Sequence, residues 1–225
     1  VRAAELFGIT EGTTRVALSR MVTAGELVTW DGRYRLTGRL VDRQTRQAES
    51  RAGSTRRWRG GWELCVVLTG QRPAGERAEL RDAMAQLRLA ELREGTWLRP
   101  DNLDPERAPG ARTVVEAQCQ RFDTKPPGDS VRLAAGLWDL GAWADVAQEL
   151  RAEMAATSAA LEAADPTALA PGFVLSAAVL RHFQHDPLLP DPLLPRAWPG
   201  ADLRREYERY DEAYRAVLRG WLGAG

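Results

Sequence analysis

The chain has 225 residues, of which 44% are hydrophobic and 28% charged, and its formal net charge is zero. This composition excludes an intrinsically disordered chain, and the length is sufficient for two or three small domains with cores of their own. The charge is unevenly distributed, because residues 1–62 contain 12 arginines against 6 acidic residues, whereas the remainder has a surplus of acidic residues. A basic first segment on an acidic remainder is typical of a protein that binds nucleic acid through one part only.

The first predicted elements are two helices separated by a sharp turn. After a short helix over residues 2–7, Gly8 permits the turn, and Thr10 is a suitable N-cap for a second helix that ends at Gly25. Its apolar residues share one helical face and are predicted to pack: Ala17, Leu18, Met21 and Val22. Its opposite face carries small, hydroxyl and guanidinium groups: Gly12, Thr13, Arg15, Ser19 and Arg20. These groups suit phosphates and guanine edges, so the helix is predicted to enter a DNA major groove.

A β-hairpin is predicted directly behind this helix. The strands Leu27–Trp30 and Arg33–Leu36 flank Asp31-Gly32, the dipeptide that best satisfies a type I′ turn. Alternation along the second strand places Arg33 and Arg35 on one face, where we expect them to contact a backbone phosphate or the neighbouring minor groove.

The order of these elements indicates a winged helix-turn-helix domain over residues 1–38. A capped amphipathic helix with solvated arginines is the alternative, but it does not explain the hairpin that follows. A winged helix normally has a helix before the short one at residues 2–7, so we expect a further helix to precede Val1.

A polar stretch separates this domain from the rest of the chain. Residues 39–57 are predicted to be a solvated linker, with a second DNA contact as the alternative. Within it, Leu40–Glu49 is a candidate polar helix and Ala52–Ser54 a break.

Residues 58–140 are predicted to form a middle domain with a small sheet. The predicted order is a buried central strand over Glu63–Leu68, a helix over Glu76–Leu92, and strands over Gly95–Pro100 and Ala111–Phe122. A helix from Ala142 follows, and the β-α-β-β-α order favours a ferredoxin-like domain.

Residues 141–225 are predicted to be a helical C-terminal domain. Its helices cover Ala142–Ala164, Gly172–His185 and Asp202–Leu222. The last helix carries an aromatic stripe, Tyr207 to Trp221, which indicates a core or a dimer seam rather than a cofactor site. Between the last two helices, Asp186–Pro195 repeats DPLLP, and its leucines must be covered by helices or by a partner. The whole chain is therefore assigned to the α+β class as a multidomain protein.

The nucleophilic and metal-binding residue types are sparse. Cys65 and Cys119 lie in apolar runs and are predicted to be buried, reduced thiols. His182 and His185 precede Asp186, but no third convincing ligand is near, so we expect a surface or packing histidine pair and no metal site. Without a signal peptide or a long apolar segment, the chain is predicted to be cytoplasmic and to contact no membrane.

Several segments of the chain resemble the PaaX family of bacterial transcriptional repressors, which regulate phenylacetate breakdown. The resemblance covers nearly the whole chain, and the order of the segments makes it specific. In chain order they are GITEGTTRVALSRMVTAGEL, YRLT, WRGGWEL, LRDAMAQLRLAELREGTWLRPDNL, LWDL and DPLLPDPLLPRAWPG.

This resemblance implies a winged-helix head, a ferredoxin-like middle domain related to the small CRISPR-associated endoribonucleases, a helical C-terminal domain and a homodimer on a palindromic operator. It also implies an acyl-CoA effector, such as phenylacetyl-CoA, whose binding releases the double-stranded operator DNA. The DNA-reading positions that match the family motif are Thr13, Thr14, Arg15, Ser19 and Arg20.

The competing hypothesis is a nuclease that acts through the middle domain. The nuclease-like relatives have an aspartate at the end of their first strand, whereas residues 68–70 contain none. No paired carboxylates or nucleophile with a base replace it. The sequence therefore predicts a DNA-binding repressor of an aromatic catabolic operon, without enzyme activity and without a cofactor. A protein-interaction scaffold that binds no duplex is the remaining alternative.

Overall fold

The structure is a computed structural model that describes residues 2–68 and 70–223. Helices and short strands are mixed along these residues, in agreement with the predicted α+β class. Among the described residues, none of the helices combines the length and the apolar character that a membrane span needs. The helix expected before Val1 lies outside the described residues.

The chain divides into two compact units, the first with residues 1–48, 147–181 and 201–225 and the second with residues 49–146 and 182–200. The helices are α1 Arg2–Glu5, α2 Glu11–Thr23, α3 Arg39–Ala52, α4 Ala74–Gln86, α5 Pro109–Gln118, α6 Ser130–Leu137, α7 Leu140–Glu162, α8 Leu169–Phe183 and α9 Gly200–Gly223. The strands are β1 Leu27–Trp30, β2 Arg33–Leu36, β3 Trp62–Val67, β4 Ala90–Arg93, β5 Thr96–Pro100 and β6 Cys119–Thr124.

In the second unit, β3 is a central strand of an antiparallel sheet with the strand order β4-β5-β3-β6. Its two faces are both covered, as the apolar run of this strand predicted. Cys65 packs in a cluster with Met84 of α4 and Val115 of α5, whereas Trp62 packs in a second cluster with Leu189. Successive side chains of a strand point to opposite faces, so the two clusters lie on the two sides of the sheet.

The predicted helix over Glu76–Leu92 was too long. The helix α4 ends at Gln86, Arg88 adopts a left-handed conformation with φ of 57°, and Ala90–Arg93 forms the strand β4. A residue in the left-handed conformation ends a helix, but arginine has no preference for this conformation. The sequence therefore does not indicate that the helix ends before Arg88. The hairpin of β4 and β5 was consequently missed.

The strand predicted over Ala111–Phe122 was wrong in its first half. Pro109 begins the helix α5, which continues to Gln118, and Cys119–Thr124 then forms β6. Ala111 and Val115 are buried four residues apart on one face of this helix. Burial of that face outweighs the strand preference of the Thr-Val-Val segment, since β propensity depends strongly on packing.

Residues 39–52, in the polar stretch after the hairpin, form the helix α3. Gly53 follows with φ of 60° and ends it. The candidate helix over Leu40–Glu49 and the break at Gly53 are therefore confirmed, and the helix is longer than predicted at both ends.

The helices predicted for the C-terminal part are confirmed as α7, α8 and α9, with small shifts at their ends. In the first unit, Tyr207, Tyr210 and Tyr214 are buried, so the aromatic stripe of α9 belongs to a core. The hydroxyls of Tyr207 and Ser176 of α8 lie 2.8 Å apart. The aromatic positions thus follow the predicted helical spacing.

The leucines of the DPLLP repeat are covered within the second unit. Leu188, Leu189 and Leu193 are each at most 6% exposed. The segment is irregular apart from a 3-10 turn at Asp191–Leu193, and its cover comes in part from the sheet residue Trp62 and from Leu140.

Arg99 of β5 is fully buried and holds three segments of the second unit together. Its guanidinium donates to the carbonyls of Leu87 at 3.1 Å and Leu188 at 3.3 Å, and to Oδ1 of Asn102 at 2.7 Å. Burial lowers the pKa of the Arg99 guanidinium to about 9, so the group is still charged at neutral pH. Its Nε also donates to the carbonyl of Pro100.

We expect Arg99→Met to lower the free energy of unfolding by about 3 kcal/mol, because methionine fills much of the space but removes the donor to the Leu87 carbonyl and to Oδ1 of Asn102. Urea denaturation followed by circular dichroism measures the change. Arg121→Met, on the exposed part of β6 in the same sheet, is the matched control and should change the value by less than about 0.5 kcal/mol. Equal losses in the two variants would contradict the proposed role of Arg99.

We also expect both thiols to be unreactive in the folded chain. Cys65 and Cys119 are free and buried, as predicted. Burial, assisted by the carboxylate of Glu63, raises the pKa of the Cys65 thiol to about 12, and burial also raises the pKa of Cys119. The thiolate is the nucleophile, so a disulfide reagent at pH 8 should react with neither thiol within minutes and with both in denaturant. Rapid titration of either thiol without denaturant would count against this burial.

Candidate nucleic-acid interface

The N-terminus of α2 is fixed by the predicted cap. Thr10 precedes the helix in an extended conformation, and its Oγ1 accepts a hydrogen bond from the backbone N–H of Thr13 at 3.3 Å. Gly8, with φ of 66°, and Gly25, with φ of 69°, lie before and after the helix in left-handed conformations. The predicted turn, cap and stop of this helix are confirmed, and they fix where the helix begins and ends.

The face of α2 that was predicted to contact DNA is exposed to solvent. The exposed residues of this face are Gly12, Thr13, Arg15, Ser19 and Arg20. On the opposite side, Leu18, Met21 and Val22 are half-buried, whereas Ala17 is exposed and does not share in the packing. The helix thus has the predicted division into a packed and a free face.

Thr14 differs from the other predicted DNA-reading residues. It is half-buried, and its hydroxyl donates to the carbonyl of Thr10 at 3.0 Å. A hydroxyl in this position is used within its own helix, so Thr14 contributes mainly to the shape of the first turn.

Arg15 is highly exposed and pairs with a residue of its own helix. Its side chain is 71% exposed, and its guanidinium contacts the carboxylate of Glu11, one turn earlier. Exposed pairs of this kind contribute only a few tenths of a kcal/mol. The guanidinium is therefore available to a stronger anionic partner.

The hairpin β1–β2 has the predicted turn. Asp31 and Gly32 have φ of 51° and 68°, the left-handed values that a type I′ turn needs at both central positions. The register pairs Leu27 with Leu36 and Val28 with Arg35. Arg33 and Arg35 are both exposed and, being two residues apart in one strand, lie on the same face as predicted.

The base of the hairpin is tied to the end of α2. The Thr37 hydroxyl donates to the carbonyl of Gly25 at 2.6 Å, and its backbone N–H donates to the carbonyl of Glu26 at 2.9 Å. The carboxylate of Glu26 in turn pairs with Arg39. The hairpin arginines and the free face of α2 are therefore parts of one connected structure.

Sequence reasoning missed Trp30, whose side chain is among the most exposed apolar groups of the described residues at 71%. The guanidinium carbon of Arg35 lies 5.4 Å from the centre of its ring. The signal was present in the hairpin register, since Trp30 opposes Arg33 across the strands.

The first unit also contains a groove of about 440 Å³, a volume within the range of small-ligand sites. Its apolar lining comes from Leu36, Leu40, Phe173, Ala177 and Leu180. Polar groups from Arg43, Gln44, Gln47 and Ser176 complete it.

Of the two histidines, His182 packs within the second unit, whereas His185 is exposed. The ring of His182 stacks on Trp143 at 4.3 Å between centroids, and its Nε2 lies 3.1 Å from the carbonyl of Trp143. Over residues 2–68 and 70–223, no three or more His, Cys, Asp or Glu side chains are grouped so as to hold a metal ion.

Comparison with known proteins connects this arrangement to a family. Residues 138–222 match the family model described as the PaaX-like protein C-terminal domain. No match is found among curated proteins. Among solved structures, the chain is similar to an uncharacterized protein, Rv0674, from Mycobacterium tuberculosis, with 39% sequence identity and a TM-score of 0.73 over 97% of this chain and 89% of that one. The PaaX-like family is one of transcriptional regulators, and this chain belongs to it.

Proposed function

We propose that the chain is a sequence-specific DNA-binding repressor that places α2 in the major groove of its operator. The observation that carries this proposal is the exposed face of α2, where Arg15 and Arg20 follow the small residues Gly12 and Thr13. Small groups near the N-terminus of a recognition helix permit close approach to base edges, and guanidinium groups suit guanine and phosphate.

The proposal interprets residues 1–38 as a winged helix-turn-helix domain, with α1 and α2 as the two helices and β1–β2 as the wing. Residues 58–140 are interpreted as a ferredoxin-like domain, supported by the β-α-β-β-α-β order of β3 to β6. Residues 39–57 connect the two, mostly as the helix α3, and residues 141–225 are the helical C-terminal domain.

The pairing of Arg15 with Glu11 supports a contact that changes on binding. In the free chain the two exposed side chains neutralise each other. A phosphate or a guanine edge in a desolvated groove offers Arg15 a stronger charge-assisted or bidentate partner than an exposed carboxylate does. We therefore propose that Arg15 exchanges Glu11 for DNA.

The repressor role and its effector rest on the sequence resemblance. The PaaX repressors that the chain resembles regulate aromatic catabolism and release DNA on binding an acyl-CoA. We propose the same for this chain, with phenylacetyl-CoA as the first candidate. The groove beside Leu36 and Phe173, with its apolar lining and its single arginine, supports a small effector with an apolar and an anionic part.

We further propose a homodimer that presents two copies of α2 to a palindromic operator. Two-fold symmetry then requires half-sites about one turn of DNA apart, roughly 34 Å. An effector that changes this spacing lowers the affinity for the operator without touching the DNA-reading residues.

Selection of bound sequences from random duplexes tests this function. The wild-type chain is expected to enrich a palindrome, and a panel of acyl-CoA compounds is then added to the selected duplex to find the one that releases it. Enrichment of no sequence, with binding to all duplexes alike or to none, would refute the proposal.

The free face of α2 gives a prediction for Arg15. Arg15→Ala is expected to weaken binding to the selected duplex by about 1–3 kcal/mol and to affect random duplexes much less, because a lost base contact removes discrimination. Fluorescence anisotropy with the two duplexes measures both losses. Glu11→Gln is the matched control, which removes the competing carboxylate and should not weaken binding. Equal losses of Arg15→Ala on both duplexes would make Arg15 a phosphate contact only.

The basic character of residues 1–62 gives a prediction for salt. Affinity for the selected duplex is expected to fall steeply with salt concentration, because each arginine on a phosphate releases counterions from the DNA. Gel shifts from about 50 to 200 mM salt give the slope of the log–log plot. A flat plot would count against phosphate contacts by these arginines.

A further inference from the structure

The wing hairpin has two faces of different character. The register pairs Val28 with Arg35 and Trp30 with Arg33, so these four side chains share one face. Leu27 lies on the other face and is only 5% exposed, so the hairpin packs through this residue, although Tyr34 on that face is 50% exposed. All four side chains of the arginine face are exposed. The face with the two arginines is the outward one.

Apolar groups are prominent on this outward face. Trp30 is 71% and Val28 is 45% exposed. Arg35 places its guanidinium carbon 5.4 Å from the centre of the Trp30 ring, a distance at which cation and ring attract. The four side chains include two cations and no carboxylate, and Asp31 lies in the turn itself.

We propose that Trp30 is a DNA-contacting residue, whose ring packs against sugars and base edges of the minor groove beside the groove entered by α2. This inference rests on the proposed function. The positive charge of the two guanidiniums complements the phosphates of a nucleic acid. The flat, apolar ring of Trp30 complements the sugars and base edges that lie between those phosphates. An uncharged partner surface would leave both arginines unmatched.

The connection of the hairpin to α2 supports this occupant. Thr37 bonds to Gly25 and Glu26 at the end of α2, so the outward face is carried on the same structure as Arg15. A duplex that binds α2 would therefore lie next to the face of the hairpin that carries Trp30. No assigned DNA contact includes this residue.

The test compares aromatic and cationic contacts by their salt dependence. Trp30→Ala is expected to weaken binding to the selected duplex roughly tenfold at every salt concentration, with an unchanged log–log slope, because a stacking contact releases no counterion. Arg35→Gln is expected to reduce that slope by about one. Trp30→Phe, which keeps a ring, should restore most of the affinity.

Controls separate this inference from the proposed function. Tyr34→Ala, on the opposite face of the same hairpin, should change affinity less than about twofold, and thermal melting should show that all variants are folded. If Trp30→Ala binds like the wild type, or lowers the slope as Arg35→Gln does, Trp30 makes no direct contact and the inference is wrong. If the wild-type chain selects no duplex at all, the proposed function fails as well.

Discussion

The second unit depends on one buried guanidinium, that of Arg99, which donates its hydrogen bonds mainly to uncharged backbone carbonyls. Arg99 donates to Leu87 after α4, to Pro100 at the end of β5 and to Leu188 in the DPLLP segment. Burial of a guanidinium costs free energy unless each of its N–H donors has an acceptor. These segments therefore have little freedom to move apart. Leu188 is held at φ of 53°, a conformation that costs an ordinary residue about 1–2 kcal/mol. Its carbonyl accepts from both Arg99 and Asn102, which offsets that cost.

The sequence was a good guide wherever a local residue dictates a local conformation. Thr10 predicted a helix start and Asp31-Gly32 predicted a hairpin, and both are confirmed because caps and tight turns are decided by neighbouring atoms. It was a poor guide where distant packing decides. Arg88 ends α4 early in a left-handed conformation, and the burial of Val115 makes a helix of a segment rich in strand formers. Neither effect is visible within a short window of sequence.

The candidate interface was likewise predictable where local periodicity decides the position of a side chain. The exposure of Arg15, Arg20, Arg33 and Arg35 follows from helical and strand periodicity, which needs no tertiary information. Two features were not predicted: the Thr14 hydroxyl is engaged by its own helix, and Trp30 shares the outward face of the hairpin. The second was implicit in the strand alternation but becomes apparent only when the cross-strand pairs are known.

The attachment of the hairpin has a thermodynamic consequence. A two-stranded hairpin alone is marginal in water, but here its base is pinned by Thr37 to the residues that follow α2. In the proposed DNA complex this hairpin is folded before it binds, so little backbone entropy is lost on association. In a calorimeter, such a rigid-body event gives a heat-capacity change that reflects the area of contact alone, well below that of a wing which orders as it binds.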